Sequence, residues 1–441
     1  MLYFDLFNLL KSRVNYQDDL VELPVYMEET NGKGGTGGLV LRNFDFTSRI
    51  RFETPGPDGS VMLEQDGSAM LRPEGSTKPA LTGEDDPDSA ARQLELADAD
   101  IAENLNFRYH LIMPAGQRKA RDIVIFFHGF NEKYWDKYLP WAAHIVAKTG
   151  KSALLFPIAF HMNRAPALWS AMRPMHRLSK TRKQRYPDII HSTLSNVAIS
   201  SRLHNKPDRF IWSGVESYHD VIDLVESIKK GLHPAIEAEA GIDFFSYSIG
   251  TFLGEIIMMT NKNGWFSRSR YASFCGGPVF NRLSPVSKFI LDSEANVTLY
   301  SYLVEHLESH MKNNPQLGKL LGGSYEEGTN FRSLLNYRAQ LPYREEKIRA
   351  MSDRFYAIAL AQDEVVPPYE VINTLQGSRM DIPTRVEVLD FPYPYRHEDP
   401  FPALSGSGGT TAAKEGEAGN LAVEVDTQFR KVFDRISDFL S

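Results

Sequence analysis

The sharpest constraint in this chain is the stretch Ile242-Asp243-Phe244-Phe245-Ser246-Tyr247-Ser248-Ile249-Gly250-Thr251-Phe252-Leu253-Gly254. An apolar run of strand character ends in small-x-Ser-x-small and passes at once into a helical pattern. A serine at such a strand-to-helix turn is held in strained backbone that pushes its hydroxyl out of the fold. Ser246 and Gly250 are small because the turn brings neighbouring backbone close. Gly250 and Gly254, one helical turn apart, let the helix lie near the sheet. Ser248 is therefore a candidate nucleophile. The competing reading is an ordinary helix N-cap, in which Ser246 or Ser248 bonds an orphan amide, and the rest of the chain has to decide between them.

Apolar runs at 106–113, 123–127, 153–156, 242–245, 271–275, 355–361 and 385–389 alternate with helical patterns such as 216–230 and 249–259. Several runs are continuously apolar, as strands covered on both faces should be. The expected class is α/β: a mostly parallel central sheet flanked by helices. Val425, Phe429, Val432, Phe433, Ile436 and Phe439 recur at helical spacing, so an amphipathic helix closes the chain. Stretches 160–214 and 281–350 are far longer than ordinary connections, and are read as lid or cap insertions of a main domain over 106–441. Residues 1–105, with Gly-rich 31–38 and turns at 55–59 and 66–67, are read as an N-terminal extension of short β elements packing on that domain. Residues 404–420 read as a low-complexity flexible loop.

Composition narrows the partners. A formal net charge of −7 over 441 residues gives no argument for nucleic acid. The single cysteine, Cys275, rules out an intramolecular disulfide and a cysteine-based zinc site, and its apolar surroundings mark it as a buried small hydrophobe. The first ten residues lack the pattern of a signal peptide and no run is long enough to span a membrane, so a cytoplasmic protein is expected. No His-Glu-x-x-His, phosphate-binding loop or dinucleotide fingerprint occurs, so no metal or cofactor is expected. Arg173, Arg177, Lys180, Arg182, Lys183 and Arg185, with His176, form a basic cluster without acids over 165–187. A solvated helix face explains it; the sharper reading is attraction of an anionic ligand.

Serine-based acyl hydrolysis needs a nucleophile, a base, an acid to orient the base, and donors for the oxyanion. His128-Gly129 ends the 123–127 strand, and the glycine lets the amide of Phe130 turn inward. That amide and the amide of Ile249 are the candidate oxyanion hole. Asp363 follows the 355–361 strand, with Glu364 as fallback for the orienting acid. His397 follows the last strand, giving the chain order Ser248, Asp363, His397. His161, near a strand end, could reach the site, but a structural histidine is the better reading. With His128-Gly129, the elbow Ser246 to Gly250, Asp363 and His397 in these places, the chain resembles the α/β-hydrolase superfamily over 105–441, departing from the commonest motif in having Ser246 where glycine is usual. The resemblance implies an open, mostly parallel sheet, a Ser-His-Asp triad and cap insertions. The expected activity is cleavage of a carboxylic ester or related acyl bond in a small-molecule substrate. The alternative is a catalytically silent scaffold of this fold that binds a ligand or partner.

Overall fold

The computed structural model describes residues 1–26, 38–49, 87–402 and 412–441. The Gly-rich 31–37, the turns at 55–59 and 66–67, and 404–411 of the expected loop lie outside the described residues. The remainder of that loop is helical, because the C-terminal helix Ala412–Leu440 begins before it ends. Ala412, Ala413, Lys414, Glu415, Glu417 and Ala418 are strong helix formers and outweigh Gly416 and Gly419.

Nine strands among the described residues form one sheet: β1 (Leu20–Tyr26), β2 (Gly38–Thr47), β3 (Asn106–Pro114), β4 (Ala120–Phe127), β5 (Ser152–Leu155), β6 (Ile236–Tyr247), β7 (Tyr271–Phe274), β8 (Phe355–Leu360) and β9 (Arg385–Leu389). Their spatial order is β1-β2-β3-β5-β4-β6-β7-β8-β9. β1, β2 and β3 pair antiparallel, as does β3 with β5, and every pairing from β5 to β9 is parallel. Two strands from the N-terminal hundred residues thus continue the main sheet at its edge. Among the described residues no helix is long and apolar enough to cross a membrane.

The continuous apolar runs are explained by two layers of core. Along β4, Ile123, Ile125 and Phe127 pack into one layer while Val124 and Phe126 pack into the other. β8 divides in the same way, Phe355, Ala357 and Ala359 against Tyr356, Ile358 and Leu360. The first layer is closed by helices Arg209–Lys229 and Gly250–Thr260, the second by Tyr138–Thr149 and Ala412–Leu440. Such two-sided burial leaves no polar position in a strand, hence no alternation in its sequence.

Close approach of Gly250–Thr260 to the sheet depends on glycine. A Cβ at Gly250 would lie 2.7 Å from the carbonyl oxygens of both Phe127 and His128, backbone atoms that cannot swing aside. Gly250→Ala should therefore destabilise the protein by about 3 kcal/mol in urea unfolding. Gly419→Ala, in the C-terminal helix with nothing within 4 Å of the added methyl, should instead stabilise it by about 1 kcal/mol. Equal effects at the two sites would refute this account of the elbow.

Buried histidines give the fold a pH dependence. His110 is 2% exposed, and its Nδ1 donates to Asn43 Oδ1 at 2.6 Å. Burial, helped by Arg108, lowers its pKa to about 3. As pH falls below the ordinary histidine value of about 6.5, the unfolded chain takes the proton first and this share of stability is lost. The stability gap between wild type and His110→Gln should narrow by about 1 kcal/mol from pH 6.5 to 5.5, read from denaturant curves. A gap that stays constant would show that His110 titrates normally.

Candidate active site

β6 ends at Tyr247 and the following helix starts at Gly250, leaving Ser248 and Ile249 to make the turn. Ser248 sits at φ +56°, a left-handed conformation that costs a non-glycine residue on the order of 1 kcal/mol. Its surroundings hold it there. The Ser248 amide donates to Phe274 O at 3.2 Å, and its carbonyl accepts from Thr251 N at 3.0 Å. A Cβ at Gly276 would come 2.7 Å from Ser248 O, and one at Gly129 would come 3.4 Å from Ser248 Cβ. Asn131, Phe160, Met162 and Cys275 also have positive φ, and all four follow the C-terminal ends of β4, β5 or β7. With Ser248 they make five of the ten non-glycine residues of positive φ among the described residues, all at one end of the sheet.

Asp363 and His397 come from loops after β8 and β9 to the same end. His397 Nε2 lies 2.7 Å from Ser248 Oγ, and His397 Nδ1 lies 2.7 Å from Asp363 Oδ2. Asp363 Oδ1 accepts from the amides of Val365 at 2.9 Å and Val366 at 2.8 Å, which fixes the carboxylate. Facing a carboxylate, Nδ1 carries the ring proton, and Nε2 is left to accept from the serine hydroxyl. Ser248 is 8% exposed, and Asp363 and His397 are each 4% exposed. Glu364, the fallback acid, points to solvent.

Two neighbours went unnoticed in the sequence. The Tyr247 ring stacks on His397 with centroids 5.4 Å apart at 16°, and its hydroxyl donates to His397 O. Lys137 Nζ lies 4.6 Å from the centroid of the Tyr247 ring and donates to Glu398 O at 3.1 Å. The signal for Tyr247 was its place beside Ser248 in a strand; for Lys137 there was none.

His128 is fully buried. Its Nδ1 donates to Gly129 O at 2.8 Å, and its Nε2 accepts from Ile158 N at 2.9 Å. Burial, with His161 adding to it, holds its pKa well below the ordinary value, so the ring is an uncharged brace for the turn. Gly129 N donates to Tyr138 OH at 2.8 Å. The amides of Phe130 and Ile249 come next on the two turns, and neither has a partner among the described residues. The helix beginning at Gly250 adds its N-terminal dipole, which favours negative charge. Ser246, fully buried, pairs in register with Phe127 and Ser273.

Both insertions abut these loops. Asn131 Nδ2 donates to Ser195 O at 2.9 Å and to Phe289 O. Ser287 Oγ donates to Glu398 Oε1 at 2.6 Å, next to His397. The basic helix Met172–Arg185 turns Arg173, His176, Arg177, Lys180, Lys183 and Arg185 to solvent. Arg182 alone is buried, forking onto Asp292 of the second insertion at 2.6 and 2.9 Å, so it is a structural tie between the insertions. Cys275 is buried at the end of β7. Among the described residues no three His, Cys, Asp or Glu side chains are grouped to hold a metal ion. A recess of about 660 Å³, open mouth included, starts at Phe130 and runs under the first insertion, with His161 in its wall; Ser248 and His397 do not line it.

The sheet order, the serine at the strand-to-helix turn and the acid and histidine after later strands make this an α/β-hydrolase fold. Among solved structures the chain is similar to carboxyl esterase 2 of Tuber melanosporum, at 10% identity over 73% of this chain and 82% of that one, with a TM-score of 0.37. It is similar to a thermostable esterase of Pseudomonas putida, at 10% identity over 81% and 91%, TM-score 0.36. It is also similar to an acylaminoacyl peptidase of Pyrococcus horikoshii, at 13% identity over 75% of this chain but 39% of the peptidase, TM-score 0.36. Likeness at this level says nothing of activity. No curated protein matches the sequence. One family model spans residues 1–441, and the chain belongs to that family, described as a family of unknown function (DUF6051).

Proposed function

We propose that the protein is a serine hydrolase acting on a carboxylic ester or a related acyl bond. The observation that carries this reading is His397 lying between Ser248 Oγ and Asp363 Oδ2, 2.7 Å from each. Ser248 Oγ attacks the carbonyl carbon while its proton passes to His397 Nε2. Asp363 keeps the ring in the required tautomer and stabilises the imidazolium that forms. The developing oxyanion takes the unpartnered amides of Phe130 and Ile249, worth about 3 kcal/mol for each donor. The bond to the leaving oxygen breaks, and His397 returns the proton to it, releasing the alcohol. Water, deprotonated by His397, attacks the acyl-enzyme; the acid leaves and Ser248 recovers its proton. Ester cleavage asks least of the leaving-group protonation, which is why it ranks above amide cleavage. Stretches 160–214 and 281–350 serve as the cap that keeps bulk water from these charges.

A fluorophosphonate probe should label the wild-type protein and fail to label Ser248→Ala. Asp363→Asn should lower kcat on short p-nitrophenyl esters by about 10³- to 10⁴-fold, and Glu364→Gln should leave it unchanged. Folded wild type that neither labels nor hydrolyses any ester of a chain-length series sinks the proposal.

A further inference from the structure

His397 reaches the nucleophile from the loop between β9 and the C-terminal helix. A loop holds a side chain less precisely than a helix or strand does, unless other side chains lock it. The two ring nitrogens are spent on Asp363 and Ser248, so the loop backbone has to be fixed by other groups. Two side chains hold the main chain here: Tyr247 OH donates to His397 O, and Lys137 Nζ donates to Glu398 O at 3.1 Å.

Tyr247 is itself rigid. It pairs in register with Phe274 of β7, and Trp141 and Tyr138 pack edge-on against its ring, with centroids 5.2 and 6.1 Å away. A Cβ at Gly129 would come 3.2 Å from Tyr247 Cδ1, so the ring that stacks on His397 also bounds the turn that carries the Phe130 amide. Lys137 repeats this double contact through charge. Its ammonium lies 4.6 Å from the Tyr247 centroid and 5.3 Å from that of Tyr138, and it pairs with Glu132. Tyr138 OH donates to Glu132 Oε1 at 3.2 Å and accepts from Gly129 N at 2.8 Å. One cation thus joins the His397 loop, the strand end beside Ser248 and the turn of Gly129.

We propose that Lys137 and Tyr247 are positioning residues that hold His397 in register with Ser248 and with the turn of Gly129 and Phe130. Their part in turnover rests on the serine hydrolase reading above; the placement of the His397 ring does not. Both act through His397 and its loop, so their loss is felt in proton transfer and not in substrate binding. Misplacing a reacting group by about 1 Å costs on the order of 10²-fold in rate. Lys137→Met keeps the stem and removes the charge; Tyr247→Phe keeps the stacked ring and removes only the bond to His397 O.

On p-nitrophenyl butyrate each of these variants should lower kcat by about 10- to 100-fold and leave KM within about twofold of wild type. A kcat unchanged in both, or a loss that appears in KM alone, overturns the proposal. Spectra of the full chain carrying ring-15N histidine read the placement without turnover. The His397 signals, assigned by their absence in His397→Gln, should move in Lys137→Met and in Tyr247→Phe. They should stay in place in Lys180→Met, whose lysine lies on the solvated face of the helix Met172–Arg185. Movement in both variants supports the placement even if no ester is ever hydrolysed. His397 signals identical to wild type in both overturn it even if Ser248 proves to be the nucleophile.

Discussion

Everything at the functional end of the molecule depends on one residue being kept in a conformation it would not choose. Ser248 at φ +56° can stay there because β6 is hydrogen-bonded on both sides, to β4 and β7, and because glycines stand wherever a side chain would push the turn open. Gly129, Gly250 and Gly276 each press on the elbow, from β4, from the helix and from the loop after β7. The constraint runs in both directions. A rigid turn fixes Ser248 Oγ, and Oγ is then the fixed point that the loops carrying His397 and Asp363 must reach.

A second constraint lies beneath the first insertion. Arg164 is wholly buried and contacts Asp220 at 2.8 Å and Glu216 at 3.1 Å on the helix Arg209–Lys229. It also bonds Asn104 Oδ1 at 3.1 Å and Pro157 O at 3.2 Å, and stacks 4.0 Å over Phe107. Ser48 Oγ completes the set on Asp220 at 2.6 Å. Desolvating such a cluster offsets much of its attraction, but removing one member strands the others, at about 3–5 kcal/mol. Its use is therefore register more than stability. Asn104 Oδ1 also accepts from Phe160 N at 3.0 Å, so the cluster sets the segment of Phe160, His161 and Met162 beside the Phe130 turn.

The parts legible in the sequence were those decided locally. Seven strands stand where apolar runs ended at glycine or polar residues, and Ser248, Asp363 and His397 each followed such a run, so their common end of the sheet was implied by strand direction alone. β6 was read too short because Glu237 and Glu239, on its exposed beginning, hide a strand that alternates before it becomes fully buried. β1 and β2 were not seen as members of the main sheet, since edge pairing leaves little trace in composition. Arg182 read as one cation among six, because nothing near it in sequence announces Asp292, 110 positions away.

Polar saturation separates the two halves of the functional end. Around Asp363 and His397 the partners are complete: both carboxylate oxygens are bonded, both ring nitrogens are bonded, and even the His397 carbonyl receives Tyr247 OH. A group so fully engaged gains nothing further from a ligand, and its geometry is set before one arrives. The amides of Phe130 and Ile249, on the two turns that flank Ser248, have no partner among the described residues. Local rules are broken in this way where a protein meets what it binds. Ser248, His397 and Asp363 are thus held in one geometry by their own partners, while the amides of Phe130 and Ile249 beside them keep no partner among the described residues.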